Sequence, residues 1–143
     1  MATRRLGLWL IGAYGSVGST AALGLSALAR GLAPPLGMVT ALPVCAHLDL
    51  NGLPEIVIGG HDVRGGNFKD SVLGLNERSN IFTARQIEGC SEDLLAWSDN
   101  VRLAPQGANP KATTELLQTD WQEFREKHKL DQLIVVNVAS TEA

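Results

Sequence analysis

The sequence predicts an α/β domain with a doubly wound parallel sheet, on three observations. An apolar run at 6–11, short enough for one buried strand, meets three glycines spaced by three: Gly12, Gly15 and Gly18. A run of small, uncharged residues at helical length follows and stops at Gly31. Two further runs of branched apolar residues, at 55–62 and 131–138, are continuous rather than alternating, as buried parallel strands are. Strand, tight turn and helix in that order open a Rossmann-like sheet.

Such a turn has a chemical use. The N–H groups at a helix start have no partner within the helix and carry the positive end of its dipole, so they bind anions. Gly12 would let the chain reverse at the strand end. Gly15 would remove the Cβ that blocks a pyrophosphate, and Gly18 would bring helix and strand close together. The spacing is G-x-x-G-x-x-G rather than the more common G-x-G-x-x-G, because Tyr14 stands where the second glycine is expected. A competing reading is a targeting or membrane segment. No charge occurs between Arg5 and Arg30, and Arg4-Arg5 ahead of that span resemble the start of a signal peptide. Against it, glycines, serines and Thr20 crowd the middle of the span, where such a segment is most apolar.

Composition bounds the rest. A chain of 143 residues with 45% hydrophobic side chains builds one domain around one core, here taken as 1–143. Twelve basic and fifteen acidic residues give a net charge of −3 without runs, which provides nothing to recruit nucleic acid or an anionic membrane. An anionic ligand must therefore be held locally, by backbone donors. Cys45 and Cys90 lie far apart with no C-x-x-C pairing, as reduced, buried thiols of a cytoplasmic protein do, with neither a disulfide nor a metal role.

After the first helix, Gly31 suits the left-handed residue that closes it, and Pro34-Pro35 forbid continuation. Gly24 inside the helix costs about 1 kcal/mol against alanine, which suggests a face packed closely on the sheet. Residues 37–40 read as a short second strand. The acid that usually ends this strand and holds the adenosine ribose is absent at Val39, Thr40 and Ala41. Residues 41–54 read as loop. His47 and Asp49 within it have no second cluster to make a metal site, and are expected to face solvent or hydrogen-bond. Asp62, at the tip of the strand at 55–62, is the best replacement for the missing acid; the alternative is that it caps the following turn. His61 reads as a turn residue.

Between 64 and 110 the chain is less decisive. Phe68, Val72 and Leu75 allow a short helix, Ser91-Glu92-Asp93 look like a capped helix start, and 105–110 is a loop. Residues 111–129 form the clearest amphipathic helix. Its stripe of Leu117, Trp121, Phe124 and His128 reads as core packing. The last strand would place Val138, Ala139, Ser140 and Thr141 on its ligand-facing tip. A doubly wound sheet usually continues past that point, so the fold reads as incomplete at the C-terminus, as in a fragment.

Four separated stretches carry a resemblance. They are Leu10-Ile11-Gly12-Ala13-Tyr14-Gly15-Ser16-Val17; Gly31-Leu32-Ala33-Pro34-Pro35-Leu36-Gly37-Met38-Val39-Thr40; Ile58-Gly59-Gly60-His61-Asp62; and Val135-Val136-Asn137-Val138-Ala139-Ser140-Thr141-Glu142. In this order they resemble the inositol-3-phosphate synthase family, also called myo-inositol-1-phosphate synthase, and in particular its bacterial branch. The resemblance implies an isomerase of inositol and phospholipid biosynthesis that uses NAD to convert glucose 6-phosphate to 1D-myo-inositol 3-phosphate. It does so by oxidation, enolisation, intramolecular aldol closure and reduction, in a homo-oligomer when complete. Carried over, Gly12, Gly15, Ser16, Val17 and Gly18 would wrap the pyrophosphate, Asp62 would hold the adenosine ribose, and Val138 to Thr141 would line the adjoining tip. The family's catalytic lysines lie in a later domain. Lys111, Lys127 and Lys129 match none of them, so the resemblance assigns no catalytic residue here. Two other readings stand beside it: a non-catalytic copy that binds nucleotide or pairs subunits, and an oxidoreductase of the extended short-chain type. The latter wants a Tyr-x-x-x-Lys pair, whereas the only tyrosine is Tyr14.

Overall fold

Strand β1 (Leu6–Ile11) runs through the middle of the protein, whose computed structural model describes residues 4–107 and 109–140. Parallel to it lie β2 (Ile56–Asp62) on one side, in register from Leu6 opposite Ile56 to Ile11 opposite His61, and β4 (Gln132–Asn137) on the other. The short β3 (Val101–Leu103) joins the outside of β2, giving the order β3-β2-β1-β4. Successive strand residues point to opposite faces, so Trp9 and Leu10 enter different cores. Leu10 and Ile58 pack with Ala22 and Leu23 of α1 (Ser16–Ala29), Phe68 and Val72 of α2 (Phe68–Ser79), and Ile87 and Leu94 of α3 (Ala84–Ser98). Trp9 packs with Leu130 and with Phe124 of α4 (Pro110–His128) on the other face. Helices on both faces of a parallel sheet are the expected doubly wound architecture.

Local signals explain the element boundaries. At the end of α1, Gly31 takes φ +67, Leu32 N–H donates to Ala27 O at 2.7 Å and Gly31 N–H to Leu28 O at 3.2 Å, closing the helix as expected. Asn67 caps α2 by accepting from Asp70 N–H, and Asn109 caps α4 by accepting from Lys111 N–H.

Several expectations give way here. Residues 37–40 are not a strand: Gly37 has φ +79, and tight turns at Val39–Ala41 and Pro43–Cys45 occupy this stretch. Both edges of β1 are already paired, so no place beside it remains. Helix α3 starts at Thr83, not at Ser91. The Thr83 hydroxyl accepts from Gln86 N–H while Gln86 Oε1 accepts from Thr83 N–H, a reciprocal cap spelled T-x-x-Q in the sequence. Gly24 does not pack on the sheet, since a Cβ there would meet nothing within 4 Å. Strand β4 is parallel as expected but not buried: it is an edge of the described sheet, and Ile134, Val135 and Val136 are exposed. Cys90 is buried and Cys45 only half-buried, both free thiols. Asp49 pairs with Arg4 at 2.9 Å, and no group of three metal-binding side chains occurs among the described residues.

Candidate dinucleotide site

The turn after β1 is built from backbone. Gly12 takes φ +87, and its N–H and that of Ala13 both donate to His61 O, at 2.8 and 3.1 Å. Gly15 N–H then donates to Gly12 O, and α1 begins at Ser16. A side chain at Gly12 would need the left-handed conformation and would put Cβ 2.6 Å from Ala139 Cα; at Gly18 it would lie 2.3 Å from Ala13 O. These two glycines are required by the protein itself. Gly15 is not. Its φ of −69 and ψ of 171 suit any residue, and a Cβ there would meet only Gly12 O, at 3.2 Å. No side chain caps α1 and no acid occurs in its first turn, so the amides of Ser16, Val17 and Gly18 have neither a cap nor an intrahelical acceptor.

Tyr14 fits where a glycine is expected because its ring turns inward. It is buried edge-on against Phe68, with ring centroids 5.2 Å apart. Burial pushes its hydroxyl pKa up against the opposing effect of a Ser98 hydrogen bond, and the Asp62 charge adds to the rise.

The turn opens onto a cavity of about 610 Å³, within the range of roughly 300–1,000 Å³ typical of small-molecule sites. Gly12, Gly15, Ser16 and Val17 line one side, with Asp62 at the tip of β2 and Val138, Ala139 and Ser140 beyond the tip of β4. Gly18 lies beneath the turn and does not line it, and Thr141 is outside the described residues. The cavity lies at the C-terminal ends of the strands, between β1 and β4, where the strand order reverses and such sheets bind ligands. A wider depression of about 1,000 Å³ between α4 and β4 shares none of these residues and has no helix start facing it.

Asp62 is the last residue of β2, the strand beside β1. The acid is therefore where such a sheet wants it, and only the assignment of 37–40 as a strand made it look missing. Its carboxylate is buried and already engaged: Oδ2 accepts from Tyr14 N–H at 2.8 Å, and Oδ1 from Arg64 N–H at 3.0 Å. Capping of the turn is thus real. A carboxylate offers about four acceptor positions, so capacity for ligand hydroxyls remains.

His61 is not a turn residue. It is fully buried in β2, its Nδ1 accepting from Trp9 Nε1–H at 2.9 Å. Indole nitrogen only donates, so Nε2 carries the imidazole proton and donates to Asp120 Oδ2 at 2.7 Å. The same residue's carbonyl holds Gly12 and Ala13, which ties α4 to the glycine turn through one side chain. Alternation along β2 puts His61 on the same face as Val57, against α4, and that was the sequence signal for its burial.

The donor set, the Cβ-free opening at Gly15, the acid at the β2 tip and the cavity size all fit a dinucleotide. Residues 6–143 match the NAD-binding family model described as myo-inositol-1-phosphate synthase. The chain belongs to the myo-inositol-1-phosphate synthase family. It corresponds to the family's NAD-binding domain, and its cofactor is NAD. Inositol-3-phosphate synthase 1 of Bacteroides thetaiotaomicron is 27% identical over 165 aligned positions, covering 99% of this chain and 38% of the relative. Inositol-3-phosphate synthase of Trypanosoma brucei brucei is 28% identical over 71% of this chain and 21% of its own length. The chain thus spans well under half the length of these synthase relatives. Among solved structures, inositol-3-phosphate synthase of Caenorhabditis elegans superposes with a TM-score of 0.76 at 19% identity, over 98% of this chain and 35% of that one. Glucose-6-phosphate dehydrogenase in complex with glucose 6-phosphate gives 0.50 at 14% identity, over 98% and 26%. At such identities these two speak for the fold alone.

Proposed function

We propose that this chain is the cofactor-binding part of an inositol-3-phosphate synthase, an enzyme that converts glucose 6-phosphate to 1D-myo-inositol 3-phosphate in the cytoplasm. Membership of the family supports the activity. The observation that carries the site assignment is the pairing of uncapped first-turn amides with a glycine at 15 that the protein's own packing does not require.

NAD, when bound, would supply a reversible hydride acceptor for the sugar phosphate, which is compatible with a conversion of no net redox change. This chain's residues bind and orient. The amides of Ser16 and Val17 hold the diphosphate, Gly15 admits it, Asp62 accepts from the adenosine ribose hydroxyls, and Val138, Ala139 and Ser140 border the cofactor at the β4 tip. Thr141 completes that border in the same reading. Gly18 acts indirectly, by letting α1 seat against the turn. Among the described residues no lysine lines the cavity, and Lys127 donates instead to Asn100 Oδ1 at 3.0 Å. Enolisation and ring closure are therefore assigned to groups other than those described here, in a homo-oligomeric enzyme.

Calorimetric titration of the purified chain with NAD tests the site, and saturable one-to-one binding is expected. A family-length version carrying this domain should form inositol phosphate from glucose 6-phosphate plus NAD; none formed despite bound NAD would refute the activity. The sequence speaks against the short-chain oxidoreductase reading, because the position four residues after Tyr14, where a Tyr-x-x-x-Lys pair needs its lysine, is Gly18, and the Tyr14 ring packs on Phe68.

A further inference from the structure

We propose that the adenosine end of the cavity accepts a 2′-phosphorylated dinucleotide as well as NAD, with Arg64 and Arg78 as the residues that hold the additional phosphate. The inference rests on the reading above, in which the ribose lies at Asp62. In sheets of this kind an acid ending the second strand favours the free 2′-hydroxyl, while a nearby arginine accommodates a 2′-phosphate. This chain has both, so the outcome depends on how much of the acid's charge faces the ligand.

Asp62 presents little of it. Its side chain is 4% exposed, both oxygens receive backbone N–H groups, and the Arg64 guanidinium Nε stands 3.5 Å from Oδ1. An acid excludes a phosphate by like-charge repulsion when it meets it unpaired; here the repulsion is offset from the protein side. The Arg64 side chain is itself 65% exposed, lines the cavity, and reaches Tyr14 O through Nη2 at 3.2 Å. Ser71, Leu75 and Arg78 of α2 also line the cavity, at steps of four and three along one face of that helix. Arg78 is exposed and makes no ion pair with any described residue. Among the described residues, the arginines and carboxylates that line this cavity are thus two guanidinium forks, suited to bidentate phosphate binding, against one engaged carboxylate. Leu75 and Val63, which also line the cavity, offer apolar surface for the adenine.

The test is calorimetric titration of the purified chain and of Arg64→Ala and Arg78→Ala with NAD and with NADP. Both arginines are exposed, so the variants should melt close to the parent. In the parent, NADP should bind within about tenfold of NAD. Loss of a charge-assisted contact should weaken NADP by about tenfold in each variant, while NAD changes by less than about threefold. NADP binding more than tenfold weaker than NAD in the parent would overturn the proposal and leave the NAD site standing. Equal weakening of both cofactors in the variants would overturn it too, assigning the arginines to the shared part of the ligand. If neither cofactor binds, the dinucleotide reading itself falls and takes this inference with it.

Discussion

Replacing Gly15 by valine separates what the glycine turn does for the ligand from what it does for the fold. The backbone at 15 sits at φ −69 and ψ 171, a conformation valine favours, and the added Cβ meets only Gly12 O at 3.2 Å. Valine is a poorer residue than glycine at a helix N-cap by about 1 kcal/mol, and the tight carbonyl contact adds about as much again at most. A domain of ordinary stability, roughly 5–15 kcal/mol, stays folded through such a loss, with a melting point lower by about 4–8 °C. Binding should suffer far more. The branched side chain stands on the cavity side of the turn and holds a diphosphate away from the Ser16 and Val17 amides. Two charge-assisted hydrogen bonds at about 1.5–3 kcal/mol each amount to a loss of roughly two to four powers of ten in NAD affinity. Gly18→Ala is the contrasting control, because its Cβ would lie 2.3 Å from Ala13 O and the turn cannot form around it. Thermal melts and calorimetric titration of the two variants check both halves. A folded Gly15→Val protein with NAD affinity within threefold of the parent would refute the reasoning, as would a Gly15→Val protein that melts as low as Gly18→Ala.

Asp62→Ala removes the acceptor of two backbone N–H groups, so both stability and NAD binding should fall, stability by about 2–4 kcal/mol; denaturant titration showing no change would mean that the carboxylate does not hold the turn. His61→Ala leaves Trp9 Nε1–H without its acceptor and Asp120 Oδ2 without its donor, Arg102 still facing Oδ1 at 3.6 Å, and opens a void in the α4 core, for an expected loss of about 3–5 kcal/mol in the same measurement. Asp120→Asn, which keeps an acceptor for Nε2–H, should cost clearly less. Burial, followed by the charges of Lys127 and Arg5, holds His128 below its ordinary value of 6.5. The unfolded chain therefore takes up this proton first, and stability should decline as pH drops below about 6.5. The decline should level off once the lowered folded value is passed. His128→Gln should flatten that slope in melts recorded across this range. A second decline belongs to Asp93, whose pKa the hydrogen bond from Arg30 lowers from 3.8. Its contribution is present above 3.8 and lost as pH falls through the lowered folded value, so the two slopes are separable.

The opening unit was legible in the residues because everything it needs is local. A strand's worth of apolar residues, glycines where the chain must reverse and pack, and an uncharged helix closed by Gly31 all act within a few positions of one another. The same holds for α4, whose apolar stripe lies within its own span, although the Asn109-Pro110 start falls in the stretch that reads as loop. The start of α3 was equally local, in Thr83 and Gln86, although the more conspicuous Ser91-Glu92-Asp93 drew attention away from it. Strand pairing is not local. Residues 37–40 have reasonable strand composition, and only the pairing of β2 and β4 along both edges of β1 leaves them none, turning the acid at position 62 from a substitute into the expected end of the second strand. The exposure of β4 follows from its place at the sheet edge, which its own run of valines cannot reveal. His61 and Asp120 lie 59 positions apart and meet only when α4 crosses the sheet. What the sequence alone determined is the chemistry of the turn, since backbone donors freed of side chains are written in glycines. Which arginines and which histidine surround that turn, and how the Asp62 carboxylate is engaged by the Tyr14 and Arg64 N–H groups, is a matter of long-range packing, and the tertiary structure alone decided it.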